Sequence, residues 1–123
     1  MTDYTPEQVA HQLELATALI DNANKQTTGR LLTANAENMC AVGCAVVATE
    51  MPTETLKSWA VMYYNGAGSL CCEDEMSFLE YFGFPAEVLI HLNEHYIPQN
   101  PSTPYVRNKT FPEIADILKE GNI

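Results

Sequence analysis

Met39–Glu50, MCAVGCAVVATE, is the stretch on which the fold turns. It is nearly all small and apolar, with no polar face, which predicts a helix buried on every side at the centre of the molecule. Gly43 costs helix propensity there but lets a neighbouring element approach closely. The remaining elements have to cover this helix.

On its N-terminal side, Thr5-Pro6-Glu7-Gln8 opens a first helix. Thr5 suits the N-cap, Pro6 the first helical position, and Gln8 completes a capping-box spacing. Val9, Leu13, Ala16, Ile20 and Ala23 recur at the helical period and predict its buried face, with His11, Glu14 and Asp21 on the other side. The stretch NKQTTGRLLTANAEN breaks this pattern at Thr27-Thr28-Gly29, and a short extended segment is expected near residues 29–34. On the C-terminal side, Thr53 is placed to cap a third helix through Leu56, Trp59, Ala60 and Tyr63, and YNGAGS is a turn-rich break. An acidic helix around Glu73 to Tyr81 ends at Gly83. Pro85 starts another, with an apolar stripe of Val88, Leu89, Leu92 and Tyr96. A proline-rich loop is expected over residues 97–108. Thr110-Phe111-Pro112-Glu113 is a second capping box, and Ile114, Ile117 and Leu118 give the last helix its buried side. The expectation is a mostly α, compact single domain, residues 1–123, of five to six short helices.

Charge is the most biased property. Sixteen carboxylates against six Lys and Arg give a net charge of −10. No Lys or Arg lies between Lys57 and Arg107, an interval that holds Glu73, Asp74, Glu75, Glu80, Glu87 and Glu94. Such a chain repels phosphate backbones, which argues against direct nucleic-acid binding. DNA mimicry is disfavoured too, because the carboxylates are neither dense nor regularly spaced. What survives is a soluble acidic domain, or one whose acidic face docks on a basic partner. No apolar run approaches the ~20 residues of a membrane span. The opening MTDYTPEQ has neither the basic nor the apolar region of a signal peptide, so a cytoplasmic location is expected. Cys40, Cys44, Cys71 and Cys72 are then expected to be reduced, packed as small hydrophobes.

His91-Leu92-Asn93-Glu94-His95 matches H-x-x-E-H, the pattern of inverzincin metallopeptidases. On one continuous helix the two histidines would share a face and could reach one zinc ion, with Glu94 polarising a bound water. A third protein ligand would have to come from Glu113, Asp116 or Glu120, and little mass remains for a substrate cleft. Cys40 and Cys44 could instead join His91 and His95 in a Cys2His2 site, but thiols in an apolar helix are inert core residues. The carboxylates after Cys71-Cys72 disfavour thiolate formation and suit the first turn of a helix. The simpler reading makes His91 and His95 bystanders at the edge of an amphipathic helix.

These same residues carry a resemblance. Gly29 followed by Cys40-Ala41-Val42-Gly43-Cys44 is similar to the "C-A-L-G-A" segment of a diffuse set of small uncharacterised phage and bacterial proteins. Leu92-Asn93-Glu94, then Lys109-Thr110-Phe111-Pro112-Glu113-Ile114-Ala115, resembles their closing "W/L-N-D … R/K-T/S-x-x-E-[IV]". This chain departs from the pattern in carrying Glu94 where Asp is usual, and a long proline-rich insertion before Lys109. The resemblance implies a phage or prophage context, hence the host cytoplasm, and a helical fold. It also implies that Asn93 and Glu94 brace the loop leading to the Thr110 cap.

The function expected is that of a small, acidic, non-enzymatic accessory protein that binds a host protein or sequesters a small ligand, without a cofactor. Trp59 and Tyr63 are candidate aromatic contacts, Asn93 a candidate polar one, and Arg30, Arg107 and Lys109 the candidates for an anionic group. A homo-oligomer is compatible with this reading. The competing class is a zinc-binding protein or metal-dependent hydrolase using His91, Glu94 and His95.

Overall fold

Thr5 caps helix α1 (Pro6–Asp21) through the expected capping box, its hydroxyl accepting from the Gln8 N–H. A computed structural model describes residues 3–54, 66, 68, 70–99, 102 and 104–123. Among these residues α1 is followed by two 3-10 turns, Ala23–Lys25 and Ala34–Ala36, and by α2 (Ala41–Ala48), α3 (Cys72–Phe82) and α4 (Ala86–Asn93). A hairpin of β1 (Glu94–Tyr96) and β2 (Tyr105–Arg107) precedes the last helix, α5 (Phe111–Lys119). The architecture is mostly α, a compact domain with one small two-stranded sheet.

Helix α2 is the expected central helix: Ala41 to Val46 are all buried. It packs on α1 and α4, while α1 also packs on α3 and, most extensively, on α5. Phe78, Phe82, Phe84 and Phe111 join Leu15, Leu19, Leu89 and Ile114 in one core. The Phe78 ring stands 4.7 Å from that of Phe82 and 5.6 Å from that of Phe84, tilted or edge-on as aromatic quadrupoles prefer. Gly43 is where α2 meets the preceding segment. A β-carbon there would lie 2.0 Å from the Leu31 carbonyl oxygen, so only glycine permits this approach. Helix α3 ends as expected at Gly83, in the left-handed conformation at φ 87°.

Three expectations are corrected. The buried face of α1 is Gln12, Leu15, Ala16, Ala18 and Leu19, whereas Val9, Leu13 and Ile20 stand about half-exposed. The apolar set at 9, 13 and 20 competed with the true one, and the polar Gln12 concealed the latter. Gln12 sits in the core because its amide donates to the Phe82 carbonyl at 2.7 Å. Gln8 and His11 make the same kind of bond to the Glu80 and Tyr81 carbonyls, and the Gly83 N–H takes that of Leu79. The four final carbonyls of α3, orphaned in any helix, are thus all satisfied, three of them by α1 side chains. His11 also stacks on the Tyr81 ring at 3.5 Å. The Tyr81 hydroxyl donates to Glu14, and burial together with that bond raises its pKa.

The second correction is the loop over 97–108, which contains strand β2. Tyr105 pairs with Tyr96, Val106 with His95 and Arg107 with Glu94 in antiparallel register. The rings of Tyr96 and Tyr105 meet across the strands at 5.1 Å, tilted by 41°, a cross-strand aromatic pair of the kind that stabilises antiparallel strands. The third concerns HLNEH, which is not one helix. Helix α4 stops at Asn93, and Glu94 is extended at φ −153°, ψ 156°. Within the segment expected to be extended over 29–34, Leu32 makes an isolated antiparallel bridge to Met39. The predicted helix through Leu56 to Tyr63 lies outside the described residues. Its expected cap, Thr53, donates to the buried Asp74 carboxylate at 2.9 Å.

The Gly43 contact gives a direct test. Gly43→Ala gains helix propensity yet is expected to lower unfolding stability by about 2–3 kcal/mol through overpacking. The shift in urea midpoint measures it, and an unchanged midpoint would mean that the Leu31 carbonyl is not held against the helix.

Candidate functional site

Among the described residues, three places could carry function. The first is the buried amide of Asn93, which is completely inaccessible to solvent. Its Oδ1 accepts from the Ala41 N–H at 3.1 Å and from Gln26 Nε2 at 3.1 Å. Its Nδ2 donates to the Thr27 carbonyl at 3.0 Å and to Glu94 Oε1 at 3.2 Å. Every hydrogen-bonding capacity of the amide is used within the chain. Gln26 extends the node: its Nε2 donates to the Lys109 carbonyl at 2.7 Å, and its Oε1 accepts from the Phe111 N–H at 3.1 Å. Two helix N-termini, those of α2 and α5, therefore have first-turn N–H groups capped from elsewhere in the chain.

The brace expected around Asn93 exists, with altered wiring. Main-chain atoms reach the loop before Thr110: Asn108 N–H donates to the Asn93 carbonyl at 3.0 Å and Lys109 N–H to that of Leu92 at 2.9 Å. The Asn93 side chain instead holds the segment between α1 and α2, and Gln26 relays it to α5. Glu94, expected as a solvated charge in the simpler reading, accepts from the Gly29 N–H at 3.1 Å. Gln26 escaped the sequence reading, since a glutamine in an irregular stretch carries no periodic signal.

The second place is a shallow groove of about 700 Å³ along the hairpin, lined by His91, Glu94, His95, Tyr96, Tyr105 and Asn108 among others. It gathers the three members of the H-x-x-E-H match, but on different elements: His91 is on α4 and His95 on β1. The helical face that was to present both histidines to one zinc ion does not form. One oxygen of Glu94 is already engaged by Gly29 and Asn93. Among the described residues no group of three or more His, Cys, Asp or Glu is arranged to hold a metal ion. The described cysteines are free. Burial pushes the Cys40 thiol up to about 11 and the Cys44 thiol up to about 12, so neither is a nucleophile or a ready zinc ligand.

The third place is a groove of about 720 Å³ between the outer faces of α3 and α4. Cys72, Glu75, Met76 and Leu79 line it from α3 at helical i, i+3, i+4, i+7 spacing, and Ala86, Glu87 and Ile90 from α4. Leu31, Val42 and Leu70 form part of its floor, and Tyr105 with Glu94 closes the hairpin end. Met76 is 65% exposed and Leu79 47%, with Ile90 and Tyr105 close behind at 42% each. Large apolar side chains at that exposure, contiguous in one groove, mark a binding surface more than a random scatter does.

Of the cationic candidates, Arg30 lines this groove and its Nε donates to the Leu32 carbonyl. Arg107 and Lys109 line neither groove. Trp59 and Tyr63 lie outside the described residues. Sequence reading missed the α3–α4 groove, although Met76 and Leu79, apolar on the side of α3 away from Asp74, Phe78 and Phe82, signalled it. Comparison with protein-family models, curated proteins and solved structures returns no significant match.

Two measurements check this geometry. Asn93→Ala is expected to cost about 2–4 kcal/mol, because the Ala41 N–H and the Thr27 carbonyl lose their buried partner. Asn93→Asp is expected to be less stable near pH 7 than near pH 5, since a buried carboxylate beside Glu94 is easier to hold when protonated. Equal loss at both pH values would place the side chain outside the node described. For the thiols, Cys71 and Cys72 are exposed while Cys40 and Cys44 are buried, so a thiol reagent should label the first pair in the native protein and all of them only after unfolding. A folded-state pKa raised above the ordinary 9.0 favours the neutral thiol. That stability is complete below the unfolded pKa and is lost as pH climbs towards about 11. Alkaline unfolding that sets in earlier for wild type than for Cys40→Ala would confirm the sign.

Proposed function

We propose that this chain is a small non-enzymatic accessory protein that acts by binding, with the α3–α4 groove as its binding site. The observation that carries the reading is the row of Met76, Leu79 and Ile90, left exposed along a groove whose floor is the domain core. A domain this size normally turns such side chains inward, and keeping them outside costs solubility unless a partner covers them. The phage or prophage context suggested by the Cys40–Cys44 and Leu92–Glu94 segments fits a host protein as target. Within the described residues the histidines and cysteines do not converge on this groove with a nucleophile–base geometry, which favours binding over catalysis.

An uncharged apolar dye such as Nile red tests the reading. Wild type is expected to bind it saturably at one site. Leu79→Glu and Ile90→Glu, both at exposed positions, are expected to abolish binding while leaving the helical circular dichroism and the melting temperature unchanged. Dye binding that persists in both folded variants, or is absent from wild type, would overturn the groove as the site.

A further inference from the structure

The rim of the same groove says what kind of partner it takes. Three carboxylates, Glu75, Glu87 and Glu94, border it against a single described cation, Arg30. Glu75 and Glu87 are solvent-exposed, so their charges stand at the edge of the apolar floor and not within it. An interface with an apolar centre and charged rim is the pattern of protein–protein recognition. A small-molecule site would place convergent polar groups inside the cavity, and the polar side chains described here lie at its margin. Two helices, α3 and α4, form its sides, and their lining residues recur at helical spacing. Such a trough accepts a third helix by ridge-and-groove packing. Met76, the most exposed of the groove's large apolar residues, is flexible and polarisable and adapts to different apolar shapes.

Resting on the proposed binding role of this groove, we infer that its occupant is a basic amphipathic helix of a partner protein. Its apolar residues seat on Met76, Leu79 and Ile90, and its Lys or Arg side chains face Glu75 and Glu87. Charge decides between this and the other occupants. A second copy of a chain carrying −10 charges would bring like charges together at the rim. An anionic phosphate or nucleic acid would meet the same repulsion. A helix with basic flanks gains steering at long range and specificity at contact.

The test uses the whole protein and three synthetic helical peptides that share one leucine face, with Lys, Gln or Glu on the other positions. A fourth peptide has the lysine composition in scrambled order. Binding is read by fluorescence anisotropy. The ordered lysine peptide is expected to bind at least about tenfold more tightly than the glutamine peptide, with the glutamate and scrambled peptides weaker still. Its affinity should fall between about 50 and 500 mM salt, because rim charges are screened over these distances. Glu75→Gln with Glu87→Gln should remove most of the advantage of lysine over glutamine. Leu79→Glu, which adds negative charge, should nonetheless abolish binding. Lysine-peptide binding that survives Leu79→Glu would show that the peptide merely coats the acidic surface, and would overturn the inference. If the glutamine peptide binds as tightly as the lysine one, the basic partner falls while the groove reading stands. If neither peptide nor Nile red binds, both fall. Sedimentation showing a dimer lost in Leu79→Glu would make a second copy the occupant and overturn the inference as well.

Discussion

The amide of Asn93 is the constraint on which the rest of this structure depends. It sits at zero exposure where helix α4 ends, and it reaches the start of α2, the segment between α1 and α2, and the carboxylate of Glu94. Through Gln26 it is coupled to the start of α5. A buried amide is tolerated only when its donors and acceptors are matched. That requirement admits one mutual placement of these elements, because shifting any of them would strand a buried polar atom. Hydrophobic burial supplies the larger energy, about 1.5–3 kcal/mol for each large side chain, against about 1 kcal/mol for a hydrogen bond. Burial therefore drives collapse, and the Asn93 node selects which collapsed arrangement is native.

A second feature follows from the shortness of the helices. Helices of eight to sixteen residues have many unpaired end groups for their length. This chain satisfies them across elements. Gln8, His11 and Gln12 of α1 take the last carbonyls of α3, and Asn93 and Gln26 take the first amides of α2 and α5. Polar side chains inside the core thus do structural work at helix ends, which accounts for the burial of Gln12 and Asn93. Helices α3 and α4 are held through their termini and inner faces, and Met76, Leu79 and Ile90 on their outer faces stay exposed. These three side chains line the groove.

Local chemistry was legible wherever it depended on residues close in sequence. The capping boxes at Thr5 and Thr110 and the stop of α3 at Gly83 were readable and are present, and the expected burial of Met39–Glu50 holds through Val46. The α1 face was misread because two apolar sets share one helical period, and the true one contains a glutamine. The hairpin at 94–107 was missed because prolines dominated the reading of its loop. The β-branched and aromatic character of Tyr105-Val106 and of Tyr96-Ile97 flanking that turn was the available signal. The candidate site was less legible than the fold. His91, Glu94 and His95 drew attention by pattern, whereas the residues that form the α3–α4 groove have no motif at all.

The sequence by itself determined where α1 and α5 begin, where α3 ends, which helix is central, and the acidic net charge. Those properties arise from neighbours within a few positions, or from composition, and need no knowledge of the fold. Only the tertiary structure decided that Asn93 is buried, that HLNEH breaks into helix and strand, and that apolar side chains of α3 and α4 face solvent together. Each of these depends on groups tens of residues apart competing for the same hydrogen bond or the same surface. Asn93 ends α4 as the partner of Thr27 and Ala41, more than fifty positions earlier in the chain, and no local pattern encodes a partner at that distance.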